Sequence, residues 1–161
     1  MKIIPNIFLS LIFVFLAACS GSDPVDSEKG IALEVFKSPT CGCCGKWVTH
    51  LEEKGFNPVV RNKNSLDSIK KKFNIPAELQ SCHTGVSAEG FVFEGHIPAK
   101  FIQAFLSSPP DGAIGLAVPG MPAGSPGMEM GDRFSPYSII LLKSDGSQEV
   151  FAEVSSAEEQ F

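Results

Sequence analysis

The chain has 161 residues, a formal net charge of −5 at pH 7 and 43% hydrophobic residues. Once a leader is removed, this length suits a single domain with a substantial core. The acidic balance argues against a nucleic-acid partner, and the one basic run, Lys70-Lys71-Lys72, is interpreted as a solvated helix face.

The first 18 residues are typical of an export signal, because Lys2 precedes an apolar run over residues 7–18 that is too short to span a bilayer comfortably. Small residues then precede Cys19, which matches the bacterial lipoprotein pattern of cleavage before a cysteine that becomes lipidated. The alternative is a plain cleaved signal or a membrane anchor, with Cys19 incidental. Ser20 is not the acidic residue that retains such proteins at the inner membrane. We therefore predict a periplasmic protein held at the outer membrane by its lipid alone, with residues 19–30 as a flexible tether.

The mature chain then shows alternating strand and helix signals. Apolar positions at helical spacing follow the first cysteines, Gly55 is a natural helix stop, and Ser65 can cap a second helix. Through residue 107 the predicted order is β-α-β-α-β-β-α, and the first crossover helix makes the first two strands parallel neighbours. The predicted elements are strands Ile31–Lys37, Phe56–Arg61, Thr84–Ser87 and Phe91–Glu94, and helices Cys41–Lys54, Ser65–Phe73 and one opened by Pro98.

Residues 111–131 interrupt this pattern with a loop rich in glycine and proline that holds Met121, Met128 and Met130. A structureless loop this long in a compact domain is usually functional or disordered. Tyr137–Lys143 and Gln148–Val154 flank a turn signal and predict a C-terminal β-hairpin. The domain is expected to cover residues 31–155, followed by a frayed acidic tail over 156–161.

Three thiols lie in the four residues Cys41-Gly42-Cys43-Cys44, in the first turn of the first predicted helix. A helix N-terminus favours a thiolate over a thiol. Cys41 and Cys44 face the same side at this spacing, so they suit either a redox disulfide or a metal chelate. Cys43 would compete with a dithiol exchanger, which needs only an attacking and a resolving cysteine.

The order of elements resembles the thioredoxin fold, in which the residue before the third strand faces the cysteine turn and is normally a cis-proline. Cys82-His83 occupy that place here, so the layout brings a fourth sulfur and an imidazole to the first three. His96 could reach the site from the side, whereas His50 lies off the Cys44 face. Thiolates with imidazole and thioether groups select soft ions, and methionine favours Cu(I) over zinc. The methionine loop is interpreted as a lid or a secondary copper site.

Four segments resemble the CopG-type copper-resistance family of bacterial periplasmic proteins: Lys37–Trp47, Ile75–Thr84, Glu94–Pro98 and Gly115–Glu129. The resemblance covers roughly residues 31–151. It implies a thioredoxin-like α/β fold, copper binding, and a part in copper resistance, for which cycling between Cu(I) and Cu(II) is one route. The residues that fall inside the shared motifs are the expected metal ligands: Cys41, Cys43, Cys44, Cys82, His83, His96, Met121 and Met128.

The main hypothesis is therefore a tethered periplasmic protein that binds Cu(I) through clustered thiolates, with bridging thiolates able to serve more than one ion. A copper chaperone, an exporter or an electron-transfer protein would be its partner. Two alternatives stay open. One is a thiol–disulfide oxidoreductase using Cys41 and Cys44, and the other is a structural lipoprotein with Cys41–Cys44 and Cys43–Cys82 disulfides.

Overall fold

The computed structural model describes residues 30–161, so the predicted leader, the lipidation at Cys19 and most of the tether lie outside the described residues. The predicted order of elements is confirmed through Ser107, with boundaries shifted by one or two residues. In chain order the elements are β1 (Ile31–Lys37), α1 (Gly42–Glu53), β2 (Phe56–Asn62), α2 (Asp67–Lys72), β3 (His83–Ser87), β4 (Val92–Glu94), α3 (Ala99–Ser107), β5 (Ala113–Ala117), β6 (Tyr137–Lys143) and β7 (Gln148–Val154).

All of these strands form one seven-stranded mixed sheet, in the order β2-β1-β3-β4-β5-β6-β7. The predicted parallel pairing of β1 with β2 is confirmed, as is the hairpin of β6 and β7. β3 runs antiparallel to both β1 and β4. The chain is therefore an α/β protein, as predicted. Within residues 30–161, no helix has the length and apolar character needed to cross a bilayer.

The strand β5 corrects the prediction of an unbroken loop over residues 111–131. It pairs parallel with β4 and antiparallel with β6, and so joins the hairpin to the rest of the sheet. Its central Gly115 has a φ of 154°, and a Cβ atom there would lie 1.9 Å from the carbonyl oxygen of Val92. Only glycine lets the two strands approach this closely, and a glycine in the middle of this short apolar run weakens its strand signal in the sequence.

The two faces of the sheet bury separate apolar clusters, as the alternation of side chains along a strand requires. One face packs against α1 and α3, with Trp47 and Phe105 buried against Phe93. On the other face, Ile75 and Leu79 from the segment after α2 form a smaller cluster. Burying one large apolar side chain contributes roughly 1.5–3 kcal/mol, so the larger cluster holds α1 firmly against the sheet.

Two surface predictions need correction. Lys71 and Lys72 are exposed, as expected of a solvated helix face, but Lys70 is only 5% exposed and forms a buried ion pair with Glu94. The predicted frayed tail instead forms a short 3-10 helix over Ala157–Gln160. Gln160 is buried there, accepting a 2.7 Å hydrogen bond from the Tyr137 hydroxyl and donating a 2.9 Å bond to the carbonyl oxygen of Gly124.

Candidate metal centre

The first turn of α1 carries three of the four cysteines of the centre. Cys41 is the N-cap residue of α1, and no side chain of the described residues forms a capping hydrogen bond there. No atom of residues 30–161 lies within 4 Å of the position that a Gly42 Cβ atom would occupy, which leaves space beside these cysteines. The helix therefore presents its sulfurs beside unpaired N–H groups, which favour negative charge on sulfur.

The four predicted cysteine ligands come together. The sulfurs of Cys41, Cys43, Cys44 and Cys82 all lie within 4.8 Å of one another. Cys41 and Cys44 are joined by a disulfide, whereas Cys43 and Cys82 are free thiols among residues 30–161. The Cys43 sulfur lies 3.4 Å from that of Cys41. Of the two disulfides in the structural-lipoprotein alternative, Cys41–Cys44 is therefore present and Cys43–Cys82 is not formed.

Cys82 is the point where the sulfur cluster meets the histidines. Its sulfur lies 3.3 Å from Nδ1 of His83 and 3.2 Å from Nε2 of His96. Its carbonyl oxygen faces the Cys44 sulfur at 3.6 Å. The predicted approach of Cys82-His83 to the cysteine turn is thus present, and His96 reaches the same point from the segment between β4 and α3.

His96 is held in one tautomer. Its Nδ1–H donates a 2.8 Å hydrogen bond to the carbonyl oxygen of Pro126, which leaves the Nε2 lone pair directed at Cys82. Burial lowers the pKa of His96, against the opposing effects of Pro126 and Glu129. A neutral ring with one nitrogen fixed by a carbonyl group and the other free is the usual state of a metal-binding histidine.

His83 is fully buried between two other rings. Its ring centroid lies 4.2 Å from that of Trp47 and 4.8 Å from that of His96. Burial, together with the neighbouring His96, lowers its pKa well below the ordinary value. Within residues 30–161, its Nε2 is a buried side-chain nitrogen without a hydrogen-bond partner. Such a group is costly to leave unsatisfied, so it is a candidate for a ligand or for a second ring orientation.

Burial raises the pKa of the Cys82 thiol to about 11, and the nearby Cys43 adds to this effect. Cys82 is therefore protonated at neutral pH and is a poor attacking group for disulfide exchange. A metal ion that binds its sulfur must displace that proton. This environment suits a buried ligand better than a reactive thiol.

The glycine- and methionine-rich loop lies directly against the first turn of α1. A Cβ atom on Gly127 would lie 2.6 Å from the carbonyl oxygen of Cys43 and 2.8 Å from the backbone nitrogen of Trp47. Met128, the next residue, is half-buried, whereas Met121 is 54% exposed. The loop therefore covers one side of the cysteine turn, and its two predicted methionine ligands differ strongly in burial.

His50 serves the fold. Its Nε2 accepts a 3.0 Å hydrogen bond from the backbone N–H of Ala99 at the start of α3. Burial, and next the nearby Lys54, lower its pKa. The sequence-based view that His50 stands apart from the centre agrees with this contact.

Two residues near the centre escaped the sequence reasoning, Lys70 and Glu94. Glu94 is completely buried and bonds both to Lys70 and to residues on either side of Cys82-His83. An acidic residue ending an otherwise apolar strand was the available signal, because Glu is rarely buried without a partner.

Among solved structures, the chain is similar to the copper resistance protein copG in two forms. Form 1 shares 40% sequence identity at a TM-score of 0.73, over 78% of this chain and 98% of that one. The chain belongs to the CopG copper-resistance family. Form 2 shares 39% identity at a TM-score of 0.74, over 78% of this chain and 99% of that one.

A family model described as "Protein of unknown function, DUF411" matches residues 79–128. In this member of the CopG family, that segment runs from the residues before Cys82 to Met128 and includes both histidines of the centre. No match was found among curated proteins.

The donor set itself fits a soft metal ion. Sulfur and neutral imidazole are the side-chain groups that such ions prefer, and two groupings of the required compactness are present. They are the four cysteines and the trio of Cys82, His83 and His96, which share Cys82. One or two ions could thus be held with Cys82 as the common ligand, and full use of the first grouping requires reduction of the disulfide.

Proposed function

We propose that the chain is a periplasmic copper-binding protein of copper resistance that holds Cu(I) through clustered thiolates. The carrying observation is the meeting of four sulfurs and two imidazole rings around Cys82. His96 adds a nitrogen whose tautomer is fixed by Pro126, so it is ready to bind without rearrangement. The copper-resistance relatives support copper as the ion, and the thiolates support its +1 state.

Copper in this proposal is cargo that changes oxidation state. With the disulfide closed, Cys43, Cys82, His83 and His96 remain to bind it. With the disulfide open, the Cys41 and Cys44 thiols can pass two electrons to two Cu(II) ions. That reaction releases two protons and leaves the disulfide and two Cu(I) ions. The proximity of the disulfide to two free thiols supports such cycling between Cu(I) and Cu(II). Met121 and Met128 would shield or hand over the ion.

The proposal also covers the fold, the location and the partners of the protein. The element order and the parallel β1–β2 pair support a thioredoxin-like fold for the first part of the domain. The leader and Cys19 support export and a lipid anchor at the outer membrane, with residues 19–30 as the tether. A periplasmic copper chaperone, an exporter or an electron-transfer protein would exchange copper or electrons with the exposed side of the centre.

Anaerobic titration of the reduced protein with Cu(I), against a competing chelator, tests the proposal. We expect tight binding that falls by more than about 100-fold in a Cys43→Ala/Cys82→Ala variant, because removing ligands costs more than removing their outer partners. X-ray absorption at the copper edge should show both sulfur and nitrogen neighbours. His50→Gln is the matched control, since it alters a buried histidine outside the centre. Full binding by the double variant would contradict the proposal.

A second candidate function is thiol–disulfide exchange through Cys41 and Cys44. The disulfide at the start of α1 favours it, because helix N-termini stabilise thiolates. The Cys43 thiol counts against it, because its sulfur lies 3.4 Å from that of Cys41 and would compete for mixed disulfides. Insulin reduction separates the two functions, since a rate equal to that of a Cys41→Ser variant leaves only copper binding.

A further inference from the structure

Glu94, the last residue of β4, has a buried carboxylate that accepts hydrogen bonds from both sides of Cys82-His83. Its Oε1 accepts a 2.6 Å bond from the backbone N–H of Ser81. Its Oε2 accepts a 2.6 Å bond from the hydroxyl of Thr84. Ser81 immediately precedes Cys82-His83 and Thr84 immediately follows it. The Glu94 side chain is therefore hydrogen-bonded at both ends of this dipeptide.

Lys70 completes the arrangement from α2. Its ammonium group pairs with Oε1 of Glu94, and the two side chains are 7% and 0% exposed. The same ammonium group donates a 2.9 Å bond to the carbonyl oxygen of Ser81. The Ser81 hydroxyl in turn donates a 2.6 Å bond to the carbonyl oxygen of Gly120. Both backbone groups and the hydroxyl of Ser81 are therefore fixed.

This network acts where regular structure does not. β3 begins only at His83, so Ser81 and Cys82 lie outside the strand ladder that would otherwise fix them. A buried ion pair costs desolvation energy and is often replaceable by apolar residues without loss of stability. Its presence beside Cys82 is better explained by what it holds in place than by stability alone.

We propose that Glu94, neutralised by Lys70, is a positioning residue that sets the Cys82 sulfur and the His83 ring against His96. The proposal rests on the copper-binding function for its purpose, but not for its geometry. Glu94 also precedes His96 by only two residues in the chain. One buried carboxylate therefore links the positions of three donors, Cys82, His83 and His96. Loss of this coupling should free Cys82 while leaving Cys43, which is fixed by α1, largely unchanged.

The first test needs no copper. A Lys70→Met/Glu94→Gln variant removes both charges while keeping volume, so no buried charge is left unpaired. In reduced, metal-free protein, alkylation followed by mass spectrometry gives separate rates for Cys82 and Cys43. We expect Cys82 to react about 10-fold faster in the variant, by analogy with the roughly 10–100-fold that outer partners contribute to metal affinity or activity. Cys43 should change by less than about 2-fold. Faster alkylation of both thiols by similar factors would indicate global loosening and would contradict the positioning role.

The matched control is Lys143→Met/Glu149→Gln, which removes the ion pair of the β6–β7 hairpin. It should leave both alkylation rates unchanged. If the Lys70/Glu94 variant does not fold, the Thr84→Val variant replaces it in the test. This change keeps both charges and removes only the hydrogen bond from Thr84 to Glu94 at one end of the dipeptide. It should accelerate Cys82 in the same selective manner by a smaller factor.

The second test uses Cu(I) and a competing chelator. We expect the folded Lys70/Glu94 variant to bind about 10-fold more weakly than wild type. Unchanged affinity together with an unchanged Cys82 rate in a folded variant would overturn the positioning role. If wild type itself binds no Cu(I), the proposed function fails, while the alkylation rates still decide whether Glu94 positions Cys82.

Discussion

The partner of each ring nitrogen assigns the three histidines to different tasks. His96 gives one nitrogen to a carbonyl group and keeps the other for Cys82, whereas the Nε2 of His50 is already occupied by the N–H of Ala99. In the part of the chain that the structure describes, the buried Nε2 of His83 has no hydrogen-bond partner. Residue type alone therefore does not define the centre, and the neighbours of each ring do.

His50→Ala should destabilise the protein without weakening copper binding. The change removes the acceptor for the Ala99 N–H at the start of α3 and leaves that buried donor unsatisfied, at a cost of about 1–2 kcal/mol. Urea denaturation measures the loss, and chelator competition measures the copper affinity. A weakened affinity in the folded variant would place His50 among the functional residues after all.

At the scale of elements, the methionine-rich loop and the first turn of α1 meet through backbone atoms. Gly127 has a φ of 87°, and its missing Cβ makes room for the carbonyl oxygen of Cys43 and the backbone nitrogen of Trp47. His96 fastens the same part of the loop through Pro126. A change in the loop is thus expected to reach the cysteine turn directly.

Gly127→Ala should separate the loop from α1. The clash involves backbone atoms that cannot rotate away, and the positive φ adds strain of about 1–2 kcal/mol. Gly131→Ala is the control, because its φ is 62° and nothing lies within 4 Å of its Cβ position. We expect urea denaturation to show a loss for Gly127→Ala that exceeds the control by at least about 1 kcal/mol, with faster alkylation of Cys43. Equal losses in the two variants would rule out the contact.

The elements that sequence predicted well are those with a strong local pattern. The apolar face of α1 and the turn between β6 and β7 are local signals, and both elements lie where the sequence places them. β5 escaped because its pairing depends on Gly115, whose small size helps only once β4 is beside it. Lys70 was misjudged for the same reason, since its partner lies 24 residues away.

At the scale of the whole molecule, the centre is a product of topology. Spacing alone grouped Cys41, Cys43 and Cys44, while the placement of Cys82-His83 required the expected order of strands. The hydrogen bonds from His96 to Pro126 and from Ser81 to Glu94 could not be predicted. Each joins segments that come together only once the sheet has formed. The spacing paired Cys41 with Cys44, but it left open whether the two would form the observed disulfide or a metal chelate.

The same burial that forms the centre should make the metal-free protein sensitive to acid. Burial lowers the pKa of His50, His83 and His96, so each binds its proton more readily when the chain is unfolded. Their stabilising contribution is therefore present above the ordinary value of 6.5 and is lost as pH falls below it, by up to about 1.4 kcal/mol per pH unit for each proton. Glu94, whose pKa is raised by burial, acts in the opposite sense and flattens the curve.

Urea denaturation of the reduced, metal-free protein between pH 7.5 and 5.5 tests this, with His50→Gln as the comparison. Glutamine can still accept the Ala99 hydrogen bond but takes up no proton, and the contribution of Glu94 cancels between the two proteins because neither changes it. Below pH 6.5, the free energy of unfolding of wild type should therefore fall more steeply than that of the variant. The difference in slope should be up to about 1.4 kcal/mol per pH unit, the value for one proton. Parallel curves would mean that His50 titrates alike in the folded and unfolded chain, and that its burial does not hold it neutral.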